Sequence, residues 1–75
     1  MAKKANQTRS RVYKQIDLVG VSSESTERAI ESAIAKASET VRDLRWFEVK
    51  EIRGAIQGGQ VSEYQVVVSV SFEVK

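Results

Sequence analysis

A chain of 75 residues has room for one domain and buries only about 60% of the surface its unfolded form exposes, so a lone copy is marginal. It holds neither cysteine nor histidine. That excludes disulfides, thiolate or imidazole metal sites, and Ser-His or Cys-His nucleophilic catalysis, and leaves association with further copies as the remaining stabiliser. The net charge of +2 is small. No apolar run approaches the ~20 residues of a membrane span, and Met1 to Asn6 lacks the apolar stretch of a signal peptide. A cysteine-free chain without such a stretch is expected in the cytoplasm.

Residues 1–10 read as a disordered basic arm, polar and without hydrophobic period. Lys3, Lys4, Arg9 and the adjoining Arg11 carry most of the positive excess, with no acid among them. A first strand is expected over Val12–Val19, with Val12, Ile16 and Leu18 on one parity and Tyr13, Gln15 and Asp17 on the other. Gly20 ends it. Ser22 or Ser23 then offers a helix N-cap, and Glu24 and Glu27 favour the positive end of a helix. The helix is expected over Glu24–Leu44, because Ala29, Ile30, Ala33, Ile34, Ala37, Val41 and Leu44 form one stripe. Its small alanines allow it to lie close against a sheet.

The second strand is expected over Arg45–Ile56, with Gly54 marking a bulge, a bend or a close approach of other atoms. Gln57-Gly58-Gly59-Gln60 reads as a hairpin, since two glycines tolerate the positive φ of a tight turn. The third strand follows over Val61–Val74. Tyr64, Val66, Val68, Val70, Phe72 and Val74 share one face, and Gln65, Val67, Ser69, Ser71 and Glu73 the other.

The order is β-α-β-β, an α+β fold with a hairpin of two long strands. The first strand is expected parallel to one of these through a right-handed helical crossover. Strict alternation sets Trp46, Glu48, Lys50 and Ile52 on one face and Phe47, Val49, Glu51 and Arg53 on the other. Glu48 and Glu51 then face apart and form no paired acid/base site. Both faces mix apolar and charged groups, so further subunits are expected against the sheet.

Trp46 is the only tryptophan, and Gln65 sits within Tyr64-Gln65-Val66-Val67-Val68. An indole and an amide that both donates and accepts are the minimum for holding a flat heterocycle. Taken singly, they read as a core aromatic and a solvated strand residue. Arg53 alone reads as the ion-pair partner of Glu51, Glu63 or an acid of a neighbouring copy.

The combination Val19-Gly20-Val21-Ser22, Trp46-Phe47-Glu48-Val49, Arg53-Gly54 and Tyr64-Gln65-Val66 resembles the bacterial dodecins over Val12–Val74, making residues 11–75 a dodecin-like domain. The arm before it is longer than the family pattern. The resemblance implies a three-stranded, antiparallel-containing sheet wrapped on one helix and a hollow homododecamer. It implies that Trp46 stacks on a flavin isoalloxazine, with two flavins held between tryptophans of neighbouring subunits, and that Gln65 pairs with the pyrimidine edge. Arg53 matches an arginine near the flavin, and Lys14 is a candidate for the ribityl-phosphate end. FMN or riboflavin is the implied cofactor. If coenzyme A also binds, Arg11, Lys36 and Arg42 are its implied phosphate contacts.

No residue set supports turnover, so the expected function is flavin storage or sequestration, with Trp46 quenching the excited flavin and limiting photochemical damage. The competing readings are a ligand-free structural assembly and a small basic nucleic-acid-binding module. The latter is opposed by Glu48, Glu51, Glu63 and Glu73, which dilute the charge of the strands. No partner in the membrane or among nucleic acids is expected.

Overall fold

The third strand in sequence is the middle strand of the sheet, and every ladder is antiparallel. The computed structural model describes residues 10–75, in four elements: β1 (Val12–Ser22), α1 (Thr26–Ser38), β2 (Leu44–Gln57) and β3 (Gln60–Val74). The spatial order is β1-β3-β2. β1 and β2 therefore run parallel to one another, as the crossover requires, but β3 lies between them and no parallel ladder forms. The basic arm expected over residues 1–10 lies outside the described residues except for Ser10. No helix of the described residues is long and apolar enough to cross a membrane.

The centre of the fold is the even face of β3. Val66, Val68 and Val70 are fully buried under Ala29 and Ala33 of α1, with Ile16, Leu18, Ile30 and Leu44 around them. The helix reaches this position because its contact stripe is alanine and the strand beneath it has a glycine. A Cβ on Gly20 would stand 1.9 Å from the carbonyl oxygen of Ala29 and 3.2 Å from the Ala33 methyl. Backbone touches backbone here, which fixes the height of α1 above β1.

α1 is shorter at both ends than the expected Glu24–Leu44. The cap is Ser25, not Ser22 or Ser23; its hydroxyl accepts from the Arg28 amide at 3.0 Å. Ser22 acts one step earlier, accepting from the Glu24 amide at 2.9 Å. The helix stops at Ser38, and Val41 and Leu44 leave its axis. The amides of Glu39, Thr40 and Val41 close the last turn onto Lys36 and Ala37 carbonyls. Asp43 then takes φ 62°, a left-handed conformation that Asp tolerates better than most residues, and the chain reverses into β2. The Asp43 carbonyl accepts from the Glu73 amide at 3.2 Å, so the reversal is tied to the end of β3.

The hairpin has the expected two-glycine turn, with φ of 62° at Gly58 and 77° at Gly59. Strict alternation fails in β2. Arg45 and Lys50 on β2, and Ser62 on β3, have no partner in the ladder. Each is an extra residue that resets which side chains share a face. Before Lys50, Trp46 opposes Ser71 and Glu48 opposes Ser69; after it, Glu51 opposes Val67 and Arg53 opposes Gln65. Trp46, Glu48, Glu51 and Arg53 thus stand on one face, where period-two counting separated the first pair from the second. Gly54 is not the bulge. It is a close approach, since a Cβ there would meet the Glu63 carbonyl oxygen at 2.8 Å.

α1 covers β1 and β3 but leaves β2 open. Phe47, Val49 and Ile52 face the helix side opposite Val70, Val68 and Val66, yet all three are exposed. On the opposite face Val19, Val21 and Trp46 are exposed as well. Apolar side chains uncovered on both faces of one sheet are the mark of surfaces made for other protein or ligand.

Candidate functional site

The face of the sheet away from α1 is organised in rows across the three strands. One row is Gln15, Ser71 and Trp46; the next is Asp17, Ser69 and Glu48; then Val19, Val67 and Glu51; then Val21, Gln65 and Arg53. Ser69 and Ser71 are buried although no helix lies over them. Longer neighbours cover them. Gln15 Nε2 donates to the Ser71 hydroxyl at 3.1 Å, and the rings of Tyr13 and Trp46 lean together with centroids 4.7 Å apart and planes at 55°. Tyr13 thus buttresses the indole from one side. Trp46 remains 48% exposed, so it is a presented aromatic surface and not a core residue. With Ile34, Leu44, Phe47 and Val70 it also borders an apolar hollow of about 180 Å³.

Gln65 lies in a different row, held by charge at both ends of its amide. Arg53 Nε donates to Gln65 Oε1 at 2.8 Å, and Gln65 Nε2 donates to Glu63 Oε2 at 2.8 Å. Arg53 Nη1 also donates to Glu51 Oε1 at 3.1 Å. The arginine is therefore the partner of both Glu51 and the glutamine, through two of its five N–H donors. The contact through Nε holds the Gln65 amide oxygen on the arginine side.

Trp46 and Gln65 do not converge within one protomer. Their rows are six residues apart along β3, about 20 Å at a rise of ~3.4 Å per residue. Both face the same way, so a single flat ligand can meet both kinds of group only where two copies bring opposite ends of their sheets together.

The basic candidates gather at the Trp46 end. Val12 pairs with Val74, and the connection carrying Arg42 is bonded to Glu73, so Arg11, Lys14 and Arg42 share the end of the molecule where β1 begins and β3 finishes. Lys14 pairs with Phe72 and stands on the helix side, across the sheet from Trp46. Lys36 sits on the last turn of α1, 3.6 Å from Glu39. Asp43 and Glu73 balance other cations at this end: Arg45 lies 3.0 Å from Glu73, and Lys75 lies 3.7 Å from Asp43.

The roles of Tyr13 and Glu63 are not evident from the motifs. Tyr13 was legible only as a residue of the parity opposite the core, and Glu63 only as a possible ion-pair partner of Arg53 and one of the acids that dilute the charge of the strands. The same face also carries Asp17, Glu48, Glu51 and Glu73, which makes it a poor electrostatic partner for a polyphosphate chain. Among the described residues no group of three or more His, Cys, Asp or Glu is arranged to hold a metal ion.

Comparison with known proteins follows the same lines as the fold. A Thermus thermophilus protein named dodecin is 54% identical over 65 residues, covering 87% of this chain and 94% of its own length. A Mycobacterium tuberculosis protein named calcium dodecin is 34% identical over 64 residues, covering 85% and 90% respectively. A Thermus thermophilus crystal structure superposes with a TM-score of 0.84 at 53% identity, covering 88% of this chain and 97% of the other. The family model named Dodecin matches residues 12–75, from the first residue of β1 through the end of β3. Sequence, topology and the complete span of the four elements agree: this chain belongs to the dodecin family.

Proposed function

We propose that this protein sequesters a flavin, FMN or riboflavin, in a closed homododecamer in the cytoplasm, and that it catalyses no turnover. Family membership supports a small flavin-binding protein in general. The observation that carries the finer reading is the pair of groups on the uncovered face: a half-exposed indole at one end and an oriented amide about 20 Å away at the other. Stacking comes from Trp46 of one copy, and recognition of the pyrimidine edge from Gln65 of another. A site divided in this way exists only in the assembly, so storage and oligomerisation are one property. Lys14, on the helix side of the sheet, is assigned to the ribityl-phosphate end of a flavin held by a neighbouring copy. Arg11, Lys36 and Arg42 are assigned to the phosphates of coenzyme A, should that molecule share the cage. Close contact of the ring with Trp46 quenches the excited flavin and limits its photochemistry.

The test begins with the purified protein. It is expected to be yellow, with its chromophore eluting on a particle of about twelve subunits. Denaturation followed by chromatography of the released ligand identifies the flavin. A colourless, stable monomer or dimer by light scattering at micromolar concentration would overturn both parts of the proposal.

Gln65→Leu provides the residue-level check. The bound ring would bury a donor and an acceptor without partners, a cost of about 1–3 kcal/mol, or roughly ten- to a hundredfold in affinity. Gln65→Glu should weaken binding as well, because a carboxylate cannot donate and would stand beside Glu63. Fluorescence titration of each variant against the parent, with particle size followed in parallel, reads the effect. Parental affinity in both variants would remove the edge contact from the mechanism.

A further inference from the structure

The hydrogen bonds around Gln65 give a role to a residue set back from the flavin, on the reading that Gln65 meets the ring edge. They run in one direction, from the Arg53 guanidinium to the amide oxygen and from the amide nitrogen to the Glu63 carboxylate, each at 2.8 Å. Turned over, the amide would set its oxygen against the Glu63 carboxylate and its NH2 against the guanidinium. Both contacts would be repulsive, so the two charges hold one orientation of a group that is otherwise free to take two.

The arithmetic of donors and acceptors then defines the ligand edge. A glutamine amide has two N–H donors and an oxygen with two lone pairs. One N–H is committed to Glu63 and one lone pair to Arg53. One donor and one acceptor remain. Their complement is a ring imide, in which an N–H lies beside a carbonyl. An edge carrying only acceptors, or an imide methylated on nitrogen, leaves the second lone pair of the amide oxygen without a partner and is penalised accordingly.

Glu63 is placed for this by the backbone. It precedes Gln65 by two residues on the central strand, so both side chains leave the same face. It pairs with Ala55, next to Gly54, where the absence of a side chain lets β2 approach the Glu63 carbonyl. Glu63 is partly buried, whereas Glu51 on the other side of Arg53 is exposed.

We propose that Glu63 is a positioning and specificity-determining residue: by holding the Gln65 amide in one orientation it restricts the ring edge to imides with a free N–H. Arg53 supports the same orientation from the oxygen side. The assignment predicts a selectivity effect and not only a loss of affinity.

The experiment titrates the assembled full chain, freed of its own ligand, with lumiflavin and with 3-methyllumiflavin, which lack any phosphate tail. The parent is expected to prefer lumiflavin by about tenfold or more. Glu63→Leu should cut that preference severalfold while particle size and the affinity for the methylated ring change little. Glu63→Gln, whose side-chain oxygen can still accept, should keep most of it, and Gln65→Leu should abolish it. Glu63→Ala repeats the test with a smaller side chain in case leucine disturbs the assembly. A parental preference in both Glu63→Leu and Glu63→Ala overturns the proposal. So does an equal loss on both ligands, which would mark Glu63 as merely structural. A parent that binds both ligands equally removes the edge contact of Gln65, and a parent that binds neither removes the flavin reading itself; the proposal falls in either case, for different and recognisable reasons.

Discussion

Trp46→Ala is expected to lower flavin affinity by roughly a hundredfold, toward the upper end of what one aromatic stack contributes. It is also expected to leave the protein folded and assembled. The two expectations follow from the same fact. The indole is 48% exposed, touches Tyr13 on one side, and contributes nothing to the buried valine and alanine cluster. Its truncation removes ligand-binding area and very little of the core. Flavin fluorescence, strongly quenched on binding to the parent, should stay close to its free value when the same ligand meets the variant. If affinity and quenching both persist, the ring is held elsewhere and the face away from α1 is not the ligand face.

Gly20→Ala is expected to abolish assembly. The added methyl would lie 1.9 Å from the Ala29 carbonyl oxygen, a backbone atom in the first turns of α1 that cannot swing aside. Relief requires the helix to lift from β1, which would open the contacts of Ala29 and Ala33 with Val66 and Val68. The cost is at or above the top of the roughly 1–3 kcal/mol usual for overpacking. In a chain this small that is a large part of the total stability. Thermal unfolding and light scattering measure it: the variant should be aggregated or unfolded where the parent is a discrete particle. A variant with the parental melting temperature and size would mean that α1 sits farther from β1 than the structure places it.

Much of this architecture could be read from the chain, and the failures have specific causes. The two-glycine hairpin was legible because positive φ at adjacent positions needs glycine, and the helix stripe was legible because alanines recur at helical steps. The end of α1 was not. Val41 and Leu44 continue the apolar period, but the reversal at Asp43 depends on a backbone hydrogen bond to Glu73, thirty residues away in sequence. The bulge at Lys50 was hidden for a different reason. It uses an ordinary residue, and parity counting has no means of seeing one extra position.

That single position decided much of the site. Without the reset, Arg53 and Glu51 would lie under the helix side and Gln65 would lack its cross-strand partner. The chemical identities of Trp46 and Gln65 could be picked out from the motifs. Their separation along β3 and the fixed sense of the Gln65 amide could not, because both depend on register. Of the alternatives open for Arg53, the structure selects Glu51 as its ion-pair partner and adds Gln65. Glu63, the other acid within reach, is bonded to the glutamine instead.

The central place of β3 has a consequence for how the molecule comes into being. A ribosome releases β1, α1 and β2 first, and domains generally fold as units once their parts have emerged. Here no two of the earlier strands are neighbours, so β1 and β2 have nothing to pair with until the valine-rich strand arrives. The β1–β3 ladder joins Val12 to Val74, nearly the whole described length, and pairings of such long sequence separation form slowly. The nascent chain therefore carries two orphan edges until β3 has emerged. β1 and β2 wait for the third strand, and a partner that binds extended segments would find its opportunity in that interval.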